Sequence, residues 1–212
     1  MIISPSIASS DILNIEKEVK FGVEHFNQIH LDVEDGVAVN GISFGMKMCK
    51  RIKNISKEAY ISLHLEVYKP LDYIDELEEI KPDILFIQTD HLDNKAEILQ
   101  KFKKRGLRCG VSLSDRDLNT DNEEILKMSD EIMVLCAYLS DPEQIFRQDM
   151  ADYAQSIARK FNKKVWIDGG ISYDRYKELC KTHPDIYATV MGRGVFGNKE
   201  IYEKGYKQCM TK

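Results

Sequence analysis

Lys164-Val165-Trp166-Ile167-Asp168-Gly169-Gly170, read together with residues 171–194 that follow it, decides the fold. An apolar run stops at an aspartate and two glycines. Tyr173–Cys180 then reads as a helix, and a second apolar run, Ile186–Met191, stops at Gly192-Arg193-Gly194. The order is strand, glycine-closed turn, helix, strand, glycine-closed turn. Parallel strands need such a crossover, whereas antiparallel ones can be joined by a two-residue hairpin. The runs are apolar almost throughout rather than alternating, as expected of strands covered on both faces.

Read outward from there, the same unit recurs along the whole chain. Ile2–Ile7 is the first strand. A helix opens near Ser10-Asp11, with Ile12, Ile15, Val19 and Val23 at helical spacing and Ser10 or Asp11 as N-cap. Phe26–Val33 is followed by a helix over Phe44–Ile52, and Ala59–Leu65 by Pro70–Glu79, with proline in the first turn. Asp83–Gln88 precedes Lys95–Lys104, which Gly106 ends as a C′ residue. Leu107–Leu113 precedes Asn122–Met128, Glu131–Ala137 precedes Ile145–Phe161, and a last helix spans Lys199–Cys209. Eight β-then-α units fit a closed (β/α)₈ TIM barrel, one domain over residues 1–212. An open doubly wound sheet would stop at five or six strands and carry a glycine-rich first turn. The first turn here, Ser6-Ile7-Ala8-Ser9-Ser10, has no glycine.

Composition narrows the function classes. The chain has 212 residues, 43% hydrophobic and 31% charged, with room for a sizeable core. No stretch approaches the roughly 18 apolar residues of a membrane helix, and Met1-Ile2-Ile3-Ser4-Pro5 lacks the features of a secretory signal, so a cytoplasmic location is expected. The net charge of −5 and the dispersal of lysine and arginine among acids argue against nucleic acid as a partner. Lys101-Phe102-Lys103-Lys104-Arg105 reads as the solvated end of a helix. Cys49, Cys109, Cys136, Cys180 and Cys209 form no CxxC pair and read as small buried hydrophobes.

In such a barrel, chemistry sits at the C-terminal ends of the strands. The polar residues found there are Ser6, then His30, Asp32 and Glu34, then His64 and Glu66, and finally Asp168. His30 and Asp32 are two apart on one strand and so share a face. His64 on the next strand brings a second imidazole beside them, and Asp168 faces them across the mouth. Each alone has an ordinary explanation: a hydrogen-bonded core histidine, a salt-bridged aspartate, an aspartate shaping a turn. Together, in one register, they make a divalent-metal site, with Zn²⁺ the leading choice ahead of Fe²⁺, Mn²⁺ or Co²⁺.

These residues resemble a known family. Pro5-Ser6-Ile7-Ala8-Ser9-Ser10-Asp11, Ile29-His30-Leu31-Asp32-Val33-Glu34-Asp35-Gly36, Leu63-His64-Leu65 and Ile167-Asp168-Gly169-Gly170-Ile171 are similar to successive signatures of ribulose-phosphate 3-epimerases. Gly192-Arg193-Gly194-Val195-Phe196-Gly197 resembles that family's closing phosphate segment. The resemblance runs the whole chain and implies a metal-dependent epimerase that inverts C3 of a ketose phosphate, such as ribulose 5-phosphate or allulose 6-phosphate. The route it implies is a two-base 1,1-proton transfer through an enediolate. It implies one divalent ion on His30, Asp32, His64 and Asp168, with Asp32 and Asp168 as acid and base. Ser6 and His64 would then lie beside the ketose oxygens, Gly169, Gly170 and Gly192 beside the phosphate, and the protein would be a homo-oligomer. Arg193, where that family usually carries a small residue, either adds a charge-assisted contact to the phosphate or points to the surface.

The chain departs from the family at the rim. Methionines expected after the strand-two and strand-three ligands are Glu34 and Glu66, and one on strand six is Leu135. These glutamates either turn away, pair with a cation, or bind hydroxyls or an amine on a different substrate. The family's glycine-rich lid is replaced by Ala137-Tyr138-Leu139-Ser140-Asp141-Pro142-Glu143-Gln144, and its strand-two loop by Val37-Ala38-Val39-Asn40-Gly41. A specialised paralogue acting on a modified or unphosphorylated sugar is therefore an alternative. A lyase of the hexulose-phosphate synthase kind would need an Asp-x-Lys-x-x-Asp pattern on strand three, which Ser62-Leu63-His64-Leu65-Glu66 lacks. A non-catalytic sugar-phosphate-binding barrel would not need both aspartates.

Overall fold

The computed structural model describes residues 1–205 apart from residues 119, 140 and 142. The end of the expected last helix and Cys209 lie outside the described residues, as do two positions of the loop after strand six. Eight parallel strands form one sheet, in the order β1 (Ile2–Pro5), β8 (Ala188–Met191), β7 (Val165–Asp168), β6 (Ile132–Leu135), β5 (Cys109–Leu113), β4 (Ile84–Gln88), β3 (Tyr60–Glu66) and β2 (Gln28–Glu34). A parallel bridge between Ser6 and His30 joins the two ends into a ring. The expected barrel is there.

Helices alternate with the strands: α1 (Ile15–Phe26), α2 (Met46–Ser56), α3 (Ile74–Ile80), α4 (Lys95–Lys104), α5 (Glu123–Met128), α6 (Gln148–Phe161) and α7 (Tyr173–Thr182). Two short turns of helix, α8 (Arg193–Phe196) and α9 (Lys199–Glu203), follow β8. Asn27 and Asn162 end α1 and α6 in the left-handed conformation, which lets each helix turn directly into the next strand. Gly106 closes α4 at φ +78°, the C′ role expected of it.

Several boundaries differ from the sequence expectation, and each has a local cause. Asp11 accepts a hydrogen bond from the Leu13 amide at 3.1 Å and so caps a separate 3₁₀ turn, Ile12–Asn14. Ile12 is therefore 63% exposed and does not share the buried stripe of α1. Ser10 is not an N-cap; it closes the preceding 3₁₀ turn, its amide and its hydroxyl both donating to the Ile7 carbonyl. Pro70 starts a 3₁₀ turn, Pro70–Tyr73, before α3 proper. β6 stops at Leu135: the Cys136 amide still makes the last ladder bond, to the Asp168 carbonyl of β7, but the Cys136 carbonyl accepts from the Arg147 amide instead of extending the sheet.

Two apolar layers hold the barrel. The larger lies between the sheet and the helices and includes Val19, Leu31, Leu63, Ile87, Leu99, Phe102, Val134 and Ile157. The smaller fills the barrel interior with Ile84, Phe86, Met133, Leu135, Trp166, Ala188 and Val190. Trp166 donates to Glu131 at 2.6 Å, which satisfies the indole N–H inside the barrel. The deeper interior is thus apolar across β4 and β6–β8. Polar side chains occupy it on β2 and β3, and Gln88 and Asp168 add to them where β4 and β7 end. Among the described residues no helix is long and apolar enough to cross a membrane.

Candidate functional site

The register of β2 against β3 builds the polar side of the interior in layers: His30 beside Ser62, Asp32 beside His64, Glu34 beside Glu66. Alternation sends all six to the barrel axis, while Ile29, Leu31 and Val33 face the helices. Asp168, at the end of β7, meets them from across the mouth. One ligand-capable atom from each of His30, Asp32, His64 and Asp168 lies within 4.8 Å of the others. The four residues singled out from the sequence are brought together.

Their polar atoms are prepared for a further partner. His30 Nε2 lies 2.9 Å and His64 Nδ1 3.7 Å from Asp32 Oδ1. Among the described residues none of these three buried atoms has a hydrogen-bond partner, and the His64–Asp32 approach is too long to be one. Leaving buried polar atoms unpaired costs about 1–3 kcal/mol each, so their convergence fits a cation that none of the side chains can replace. The remaining atoms are held from behind. Ser6 Oγ donates to Asp32 Oδ2. His30 Nδ1 lies 2.7 Å from Ser62 Oγ, and His64 Nε2 lies 3.0 Å from Gln88 Oε1. A hydroxyl can donate or accept, so Ser62 orients the His30 ring without choosing its tautomer.

The electrostatics also call for positive charge. Burial pushes the Asp32 carboxyl up, but the imidazoles of His30 and His64 overcome it and hold the group well below the usual carboxylate range. Burial and then the charge of Asp32 push Asp168 well above that range. Burial pulls His64 down, but Glu66 and Asp32 lift it to about 9. Burial raises Glu66 by more than the attraction of His64 lowers it, and Asp32, Glu34 and Asp90 add to the rise, which reaches about 7. Burial and Asp32 raise Glu34 as well. A divalent cation at the convergence would relieve this mutual repulsion.

Above the cluster opens a cleft of about 290 Å³. Its floor carries Asp32, Asp168, Glu34 and Glu66, and its upper wall is apolar, with Ile12, Ile42, Phe44 and Leu139. Both rim glutamates therefore face the site, and among the residues lining this cleft there is no lysine or arginine. Glu66 Oε1 stands 3.2 Å from His64 Nδ1. A second hollow of about 300 Å³ adjoins it between the loops after β7 and β8, lined by Gly169, Gly170, Gly192 and Arg193 among others. Arg193 donates to the Glu143 carbonyl at 2.6 Å, tying the loop after β8 to the loop after β6. Gly170 sits at φ +68°, and a Cβ there would lie 2.3 Å from the Gln144 carbonyl oxygen, so it is the close approach of this loop that demands glycine.

Gln88, Asp90, Ser62 and Ser43 belong to the site and went unnoticed in the sequence. Ser43 Oγ donates to the Asp32 carbonyl at 2.6 Å and accepts from the Glu34 amide at 3.0 Å, pinning the end of β2. Only Ser62 carries the signal that marks His64, a polar residue inside an apolar run; Gln88 and Asp90 at a strand end and Ser43 in a loop do not.

The profile of the ribulose-phosphate 3 epimerase family matches residues 2–196. The chain is 25% identical over 195 residues to ribulose-phosphate 3-epimerase of Chlamydia trachomatis, covering 88% of this chain and 83% of that one. It is 26% identical over 210 residues to the cytoplasmic isoform of the rice protein Ribulose-phosphate 3-epimerase (Oryza sativa), covering 93% and 88%. Among solved structures, the tryptophan synthase A-subunit of Pyrococcus furiosus superposes with a TM-score of 0.68 over 97% of this chain and 91% of that one. At 15% identity that likeness speaks for the fold alone.

Proposed function

The chain belongs to the ribulose-phosphate 3-epimerase family, and from that premise we propose that it inverts C3 of a ketose phosphate by a two-base proton transfer. One observation carries the reading: the donor atoms of His30, Asp32, His64 and Asp168 converge within 4.8 Å. Those four residues would hold a divalent cation, and their mixed nitrogen and oxygen donors suit Zn²⁺. Bound there, the cation supplies Lewis-acid stabilisation of charge developing on the substrate oxygens, worth several kcal/mol.

Inversion needs a proton removed from one face of the carbon and another delivered to the opposite face. Asp32 and Asp168 reach the centre from β2 and β7, three places apart around the ring, and each can serve one face. Ser6 holds Asp32 by one oxygen and leaves the other for the centre. Ser6 and His64 would lie beside the ketose oxygens. Gly169, Gly170, Gly192 and Arg193 would receive the phosphate in the adjoining hollow. The wall of Ile12, Ile42, Phe44 and Leu139 would shed water from the reacting carbon.

Glu34 and Glu66 favour a second reading of the substrate. Two carboxylates on the cleft floor suit a sugar with additional hydroxyls or an amine at the end away from the phosphate, or an unphosphorylated one. The test is exchange of the C3 hydrogen with D₂O, followed by proton NMR across ketose phosphates and their unphosphorylated and aminated analogues. Exchange with a phosphorylated ketose supports the first reading. Exchange with the analogues only supports the second, and none with any ketose sinks both.

A further inference from the structure

Gln88 ends β4 with its side chain inside the barrel, fully buried. The two ends of its amide have different neighbours. Oε1 lies 3.0 Å from His64 Nε2, and Nε2 donates to Asp90 Oδ1 at 3.1 Å. The Asp90 side chain is 3% exposed, and its Oδ2 accepts from Arg116 Nη1 at 3.0 Å. His91 Nδ1 and Ser114 Oγ stand further off, at 3.4 and 3.5 Å.

A glutamine amide can turn over with almost no change of shape, so packing does not choose its direction. Hydrogen-bond chemistry does. An aspartate carboxylate only accepts, and turning Oε1 towards it would set two acceptors against each other. Asp90 therefore takes the NH₂ end, and Oε1 is left facing His64. An acceptor in that place requires a hydrogen on His64 Nε2. The nitrogen facing the cluster, Nδ1, is then the one that can give up its proton.

We infer that Gln88 and Asp90 are positioning residues that hold His64 in its Nε2–H form and so present Nδ1 to the cation, with Arg116 supplying the counter-charge for Asp90. The inference rests on the metal reading of the cluster. It extends that reading away from the ligands, because the information travels from Arg116 at the surface through Asp90 and Gln88 to the ring. Such supporting partners typically change metal affinity about 10- to 100-fold when removed.

The test measures Zn²⁺ affinity of the full chain by competition with a chromophoric chelator, together with the ¹⁵N shifts of the His64 ring in the zinc-loaded protein. Asp90→Asn frees both amides to turn over and should weaken zinc binding about 10- to 100-fold. Gln88→Met removes the acceptor and serves equally if Asp90→Asn does not fold. The double variant Gln88→Glu/Asp90→Asn restores an obligate acceptor towards His64, backed by a donor, and should bring affinity back to that of the parent. A merely structural role for Asp90 would not be rescued in this way. Zinc binding within about twofold of the parent in the single variants, with unchanged ring shifts, overturns the inference. So does a double variant that fails to recover. A parent that takes up no zinc is a different result, because it overturns the metal reading itself.

Discussion

His30 Nε2 and Asp32 Oδ1 sit 2.9 Å apart inside the barrel, and neither has a hydrogen-bond partner among the described residues. Two residues spaced i, i+2 on one strand are held with their donor atoms side by side, facing a third position that belongs to neither. The cost of burying them unpaired is recovered only when something fills that position.

Metal binding should therefore appear as stability. Zn²⁺ at 100 times its dissociation constant adds about 2.7 kcal/mol. For a chain of this size each kcal/mol moves the melting midpoint by about 2–4 °C, so the rise should be about 5–10 °C. In His64→Ala, a site weakened about 100-fold would gain only about 0.4 kcal/mol at the same zinc concentration. Differential scanning calorimetry of chelator-stripped protein, with and without zinc, measures both. Equal shifts in parent and variant would show that zinc binds elsewhere.

Asp168→Asn keeps the shape and removes the proton carrier. Exchange of the substrate C3 hydrogen should fall by about 10²- to 10⁴-fold. The variant should fold, because burial and Asp32 both act against a charge on Asp168 and asparagine carries none. The metal-free melting midpoint should then be no lower than the parent's. An enzyme that exchanges at the parental rate would remove Asp168 from the acid–base pair.

Much of this was legible because the signals are physical contrasts. Strands buried on both faces read as unbroken apolar runs, and eight of them with helices between leave few alternatives to a closed ring. His30, Asp32, His64 and Asp168 stood out as polar residues inside those runs. Gln88-Thr89-Asp90 did not, because polar residues at the end of a strand look like the start of a loop. Only the fold shows that Gln88 points inward to His64 while Asp90 braces it. The spacing also sets the start of α1 too early. Ile12 keeps the helical spacing, but the hydrogen bond from the Leu13 amide to Asp11 diverts the chain into a separate turn.

Gly170→Ala tests whether the loop after β6 needs its seat against β7. A left-handed residue other than glycine costs about 1–3 kcal/mol. The added methyl would also meet the Gln144 carbonyl oxygen at 2.3 Å and the Phe146 amide at 2.7 Å. Gly106→Ala is the control, since its φ is also positive, at +78°, with no atom of the described residues within 4 Å of the added one. Gly170→Ala should lower the melting midpoint further than Gly106→Ala does and weaken substrate binding, whereas the control should leave substrate binding unchanged. Equal losses would mean that backbone strain alone explains the glycine.

Glu66→Met restores the residue type that the family resemblance leads one to expect on the cleft floor. Glu66 is 7% exposed and lines the cleft, and His64 Nδ1, its neighbour at 3.2 Å, faces the proposed cation. Its carboxylate is then free to accept from the substrate. A hydrogen bond to a charged group is worth about 1.5–3 kcal/mol, which is about 10- to 150-fold in rate or affinity. The parent should therefore prefer a substrate with a hydroxyl or amine at the end away from the phosphate over its deoxy analogue by about that factor. Glu66→Met should erase the preference while keeping the C3 exchange itself, because Asp32 and Asp168 are untouched. Relative rates across the panel, measured by D₂O exchange, decide the matter. If Glu66→Met leaves them unaltered, Glu66 does not select the substrate, and the rim differs from the family for some other reason.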